Sequence, residues 1–149
     1  MKRLLLEYWA PLLVWLITIF YLSTDLFSAN ETSRIIIPIL AFFFPGLSHA
    51  ELTLWHGVIR KFAHITEYFI LAVFTYRSFK YQQTDLAQAK LRTFTFIILA
   101  AILDEIHQRF TSFRTPSPLD VGYDCFGALW ALWLITSYET RRLRSHSVL

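Results

Sequence analysis

Residues 91–110 read LRTFTFIILAAILDEIHQRF, a continuous apolar run that ends in a block of polar and charged side chains. A helix rises about 1.5 Å per residue, so roughly 20 such residues cross a hydrocarbon core about 30 Å thick. The same length recurs at residues 8–27 (YWAPLLVWLITIFYLSTDLF), 58–79 and 119–138. Between the first two lies residues 35–44, an apolar run of ten closed by Pro45-Gly46. Ten residues are too few to span and fit an interfacial or re-entrant piece. The sequence therefore predicts an all-α integral membrane protein. Its expected form is a bundle of four transmembrane helices, with a short interfacial or re-entrant segment between the first two. No repeat or linker interrupts the chain, so a single domain over residues 1–149 is expected.

The composition agrees. Of 149 residues, 55% are hydrophobic, 17% aromatic and only 17% charged, and the mean hydropathy is +0.43. A disordered chain has the opposite balance. The single cysteine, Cys125, excludes a disulfide framework and a cysteine-based metal finger. Lys2 and Arg3 before an apolar stretch resemble a signal peptide, but the stretch is too long and Phe27-Ser28-Ala29 is a poor cleavage site, so a retained span is expected.

The net charge of +3 suggests nucleic acid until its distribution is read. Lys2, Arg3, Arg77, Lys80, Lys90, Arg92, Arg141, Arg142 and Arg144 fall on one side of the expected membrane, with Glu7, Asp85 and Glu139. The other side has five basic and eight acidic residues. Nine bases less three acids gives +6, and five less eight gives −3. The positive face is cytoplasmic by the positive-inside rule, which places both termini inside. The tail around Arg141 and Arg142 then meets anionic lipid headgroups, and no nucleic-acid partner is expected.

Ionisable residues within a span cost about 2.5–3.5 kcal/mol each on insertion scales, so their positions are informative. Here they gather at the outer ends of the last three spans. The second span carries Lys61, His64, Glu67 and Tyr68. A snorkelling lysine and a helix-end histidine explain the first two. Glu67 lies too deep for that, roughly 14 Å in from Val58. The third span ends Asp104-Glu105-Ile106-His107-Gln108-Arg109, where Asp104, His107 and Gln108 share a face and Arg109 can neutralise Glu105. Solvated charges at a helix end explain Gln108 and Arg109 better than they explain Asp104. In the fourth span Asp120 and Asp124 stand one turn apart, and Gly127 continues their face as a place for a neighbouring helix to approach. Asp120 also suits a capping role after Pro118. Arg114, in the proline-flanked loop before that span, is placed to lie over the bundle mouth. Lys61 is the natural counter-charge for Asp104 or Asp120.

Three ordered motifs in these segments resemble the VanZ-like membrane protein family. They are Lys61-x-x-His64-x-x-x-Tyr68-x-x-Leu71, then Asp104-Glu105-x-x-Gln108-x-Phe110, then Arg114 followed by Ser117-x-x-Asp120-Val121 and Gly127. Ser23-Thr24 after the first span also fits the family layout. Asp124 stands where Asn is common, and Ala131 where a second Gly often occurs. The resemblance implies a multi-pass protein of the bacterial cytoplasmic membrane, and its namesake is associated with reduced susceptibility to teicoplanin.

Two functions fit the same site. As an enzyme, Asp104, Glu67 or His64 would serve as acid or base on a lipid-linked or cell-envelope headgroup, while Lys61, Tyr68, Gln108, Arg114, Asp120 and Asp124 bind it. As a binding protein, the cleft would hold a membrane lipid, a lipid-linked headgroup or a partner protein without chemistry. A transporter would require dimerisation, since no repeat is visible. No cofactor is required. His64-x-x-Glu67 with Asp104-x-x-His107 is the one pattern that would suit a divalent cation.

Overall fold

The computed structural model describes residues 5–82, 85–111 and 117–146, and regular structure among them is entirely helical. A wide π-type turn, Leu5–Trp9, leads into α1, Ala10–Leu22, and a 3₁₀ turn, Asp25–Phe27, leads into α2, Ala29–Phe43. Then come α3, His49–Gln82, α4, Leu86–Arg109, and α5, Pro118–His146.

Helix α1 opens with proline in its first turn, where the missing N–H has no helical partner to lose. It stops at Leu22, five residues short of the expected 8–27 span. Ser23 N–H closes onto Ile19 O at 2.9 Å, Thr24 Oγ1 donates to Tyr21 O at 2.8 Å, and Thr24 becomes extended. Short hydroxyl side chains offer the backbone these alternatives to helix. Ser28 then caps α2 by accepting from Glu31 N–H, and the chain restarts in a new direction.

The expected short segment at residues 35–44 is the second half of α2. Thr32 Oγ1 lies 3.0 Å from His56 Nε2, and Arg60 donates to Phe27 O at 2.9 Å and Thr32 Oγ1 at 3.2 Å. With only the turn around Pro45-Gly46 between them, α2 folds back against α3, which these hydrogen bonds tie to it. By length and composition, two described stretches are apolar enough to cross a membrane, Asp25–Phe43 and Leu86–Arg109. Leu6–Leu22 is apolar but shorter. Residues 58–79 and 119–138 lie inside α3 and α5, which run to 34 and 29 residues.

Helices α3, α4 and α5 form the body, with α1 against α3. Its core holds Leu12, Ile19, Tyr68, Leu71 and Ile97, together with the small residues Ala72, Ala101, Ala128 and Ala131. Small side chains let helix backbones approach closely. The closest approach is at Gly127, where an added Cβ would meet Ile65 O of α3 at 2.2 Å. Trp15 Nε1 donates to Glu67 O at 2.9 Å and fixes α1 on α3. Outside, Ile17 and Phe20 of α1, Leu99 and Leu103 of α4, and Leu129 and Trp133 of α5 are exposed. A protein surrounded by water rarely presents so much large apolar surface, whereas lipid solvates it readily.

Candidate functional site

One end of the body is polar inside. Asp104 and Gln108 project from one face of α4, Asp124 from the second turn of α5, His64 and Tyr68 from α3, and Ser23 from the end of α1. Asp104, Gln108, Asp124, Tyr68 and Ser23 are all buried. The α4 pair is set by helical spacing, one turn apart, and Gln108 Nε2 donates to Asp104 Oδ2 at 2.9 Å. The other oxygen, Oδ1, accepts a short hydrogen bond from Ser23 Oγ. The early stop of α1 is what brings that hydroxyl here. Asp124 Oδ1 lies 3.3 Å from His64 Nδ1. The contact of α5 with α3 at Gly127, one turn further along, holds the pair at that separation.

Four buried polar atoms have no hydrogen-bond partner among the described residues that touches this end: Tyr68 OH, Asp124 Oδ2, Glu105 Oε1 and His107 Nδ1. Leaving such a group unpaired costs about 1–3 kcal/mol. The field around them is acidic. Asp124, Asp104, Glu67 and Glu105 all bear electrostatically on the Tyr68 hydroxyl, and Asp120 bears on His64 and Glu105.

The remaining expected site residues divide. Glu67 and His64 line a cavity of about 210 Å³ together with Ser23, Arg60 and Thr32. Asp120 is part-buried in the first turn of α5, where an acid favours the helix N-terminus. Lys61 is exposed: its Nζ donates to Tyr123 OH at 3.3 Å and lies 5.0 Å above that ring. It is therefore not the counter-charge of Asp104, whose oxygens are taken by Ser23 and Gln108. Glu105 accepts from Ser117 N–H at 2.8 Å, tying α4 to the start of α5 where a pairing with Arg109 was expected. His107 stacks on Phe20 of α1, ring centroids 4.1 Å apart. Arg114 lies outside the described residues. Among the described residues no three His, Cys, Asp or Glu side chains converge in the manner of a metal site.

Two contributors escaped the reading of the sequence as a site. Ser23 carried a signal only as part of Ser23-Thr24. Arg60, which joins α2 to α3, belongs to no sequence motif that marks it.

A sequence profile of the VanZ/LLP1 family matches residues 8–139, a range that includes every helix contributing to the buried cluster. Curated proteins and solved structures yield no match. The family and the two apolar stretches of spanning length together indicate a membrane protein. The chain belongs to the VanZ/LLP1 family.

Proposed function

We propose that the buried cluster binds the polar headgroup of a lipid or lipid-linked cell-envelope molecule. In this reading the chain is a single domain that crosses the bacterial cytoplasmic membrane four times, through α1, α3, α4 and α5. The site opens to the extracytoplasmic leaflet, and α2 re-enters without crossing. The observation that carries the proposal is a buried acceptor without a partner among the described residues, Asp124 Oδ2. A carboxylate oxygen only accepts when ionised. A headgroup hydroxyl supplies the complement by donating to it. No cofactor is needed for that exchange.

A second reading, catalysis, is favoured by the His64–Asp124 contact. A carboxylate at imidazole Nδ1 fixes the ring's tautomer and orientation, which is the arrangement of a general base. His64 also lines the 210 Å³ cavity, where Glu67 and Ser23 stand beside it. The test is incubation of the full chain in nanodiscs with a bacterial lipid extract, followed by mass spectrometry of bound and converted lipids. Saturable retention of a headgroup lipid that Asp104→Asn removes, and that Arg142→Ala leaves intact, supports binding. A new lipid species that disappears in His64→Gln supports catalysis. Retention that survives both Asp104→Asn and Asp124→Asn refutes the site.

A further inference from the structure

A groove of about 700 Å³ runs down the side of the body between α1 and α4, floored by α3. Leu16, Phe20, Leu71, Leu99 and Leu103 line its length, and its polar members, Tyr68, Asp104 and His107, come from the site end of α3 and α4. Its α4 wall runs from Phe96 to His107, and the helical steps between them rise about 16 Å. That is half of a hydrocarbon core about 30 Å thick, the depth of one leaflet. A volume of 700 Å³ over that length leaves a mean cross-section of about 40 Å².

Tyr68 is 1% exposed, and its hydroxyl has no partner among the described residues. Asp104, the neighbouring acceptor, is already bonded through both oxygens. A hydrocarbon chain alone would leave the Tyr68 donor unsatisfied, while an ester carbonyl at the top of an acyl chain would meet it. A polyprenyl chain, joined directly to phosphate, would bring a charged acceptor to Tyr68 instead, among the carboxyls of Asp104, Asp124 and Glu67 that act on the same hydroxyl. We infer that the groove holds one acyl chain of a glycerophospholipid, entering sideways from the bilayer between α1 and α4. Its ester carbonyl accepts from Tyr68 OH. The inference rests on the proposed headgroup site, because the same molecule would carry its headgroup into the cluster of Asp104 and Asp124.

The test uses the full chain reconstituted in palmitoyl-oleoyl phosphatidylglycerol vesicles, extracted into mild detergent and weighed by native mass spectrometry. One phospholipid should remain bound per chain. Leu99→Trp and Ala100→Phe fill the groove and should lower its occupancy at least about tenfold, equivalent to about 1.4 kcal/mol. Leu99 is 56% exposed, so a larger side chain there displaces no core packing. Tyr68→Phe should weaken retention by about fivefold, the loss of one hydrogen bond. Leu129→Trp, exposed on α5, should change nothing. Full retention by both filled variants, at unchanged melting temperature, overturns the inference. So does displacement of the phospholipid by added polyprenyl phosphate with Tyr68→Phe indistinguishable from the parent. If the filled variants keep their phospholipid while Asp104→Asn loses headgroup binding, the groove assignment fails and the headgroup site stands. The converse result removes the headgroup site and leaves the groove.

Discussion

Substituting Gly127 by alanine tests how the site is assembled. The new Cβ would lie 2.2 Å from Ile65 O, 3.0 Å from its carbonyl carbon and 3.2 Å from its Cα. Ordinary contact begins near 3.4 Å, and all three atoms are backbone within α3, so no rotamer change relieves the clash. The helices α3 and α5 must part by about 1 Å at this level. His64 precedes Ile65, and Asp124 lies one turn before Gly127, so the 3.3 Å contact between them stretches with the helices. Beyond about 3.5 Å it is no longer a hydrogen bond. Overpacking of this kind costs about 1–3 kcal/mol, and an Asp124 left with both oxygens buried and unpaired adds about 1–3 kcal/mol. The expected total is about 2–6 kcal/mol, measured by reversible unfolding of the detergent-solubilised protein in a dodecyl sulfate titration. Gly122→Ala is the matched comparison: nothing lies within 4 Å of a Cβ there, and alanine should be neutral or gain up to about 1 kcal/mol of helix propensity. If Gly127→Ala unfolds within about 0.5 kcal/mol of the parent, the close approach does not set the site's geometry.

Three further outcomes follow from the fold. Ser23→Ala leaves Asp104 Oδ1 without its donor and should cost about 1–3 kcal/mol in the same titration, whereas a neutral effect would separate α1 from the cluster. His56 is held below its ordinary pKa by burial and by the Arg60 charge beside it. The unfolded histidine takes up its proton near pH 6.5 and the folded one resists it, so stability is lost as pH falls below about 6.5. Protection factors of the α2 amides, taken against the intrinsic exchange rate at each pH, should therefore fall on acidification, and His56→Gln should remove that trend; equal protection factors at about pH 5.5 and about pH 7.5 would contradict it. Cysteines introduced at Ser33 and Ser48 should label from the same, extracytoplasmic side, and a reporter fused after Leu149 should be active in the cytoplasm. Labelling from opposite faces would make α2 a crossing helix and reverse the orientation.

The helical class was legible because apolar length is a strong signal, and residues 91–110 survive nearly intact within α4. The early end of α1 was harder to read because hydropathy counts Ser23, Thr24 and Asp25 as mild interruptions. Their physical effect is local: hydroxyls and a carboxylate hydrogen-bond nearby backbone, and Ser28-x-x-Glu31 immediately offers a new cap. For the site, the cost of burying ionisable groups pointed to Asp104 and Asp124, and the structure buries both. Helical spacing, three and four residues apart, groups Lys61, His64 and Tyr68 on one side of α3. What it could not supply was depth: Tyr68 is buried, His64 is part-buried, and Lys61 emerges beside Tyr123 where α5 has barely begun.

That gradient bears on what the site can recognise. An ammonium group among the carboxyls would have neutralised part of the acidic field and occupied the acceptors. The donors found there are instead Ser23 Oγ, Gln108 Nε2 and the Ser117 N–H, with the imidazole of His64 on Asp124. The first three are neutral dipoles. They satisfy one oxygen or two without bringing in an opposite charge, and they leave Asp124 Oδ2 and Glu105 Oε1 as buried acceptors. An acceptor-rich pocket in a low-dielectric setting favours ligands that donate, such as hydroxyls, amides or ammonium groups. It disfavours a bare phosphate, whose charge would meet Asp104, Glu105 and Asp124 without a buried cation between them among the described residues. A phospholipid chain in the neighbouring groove is consistent with this only when the phosphate stays at the rim and the hydroxyl-bearing part of the headgroup turns inward.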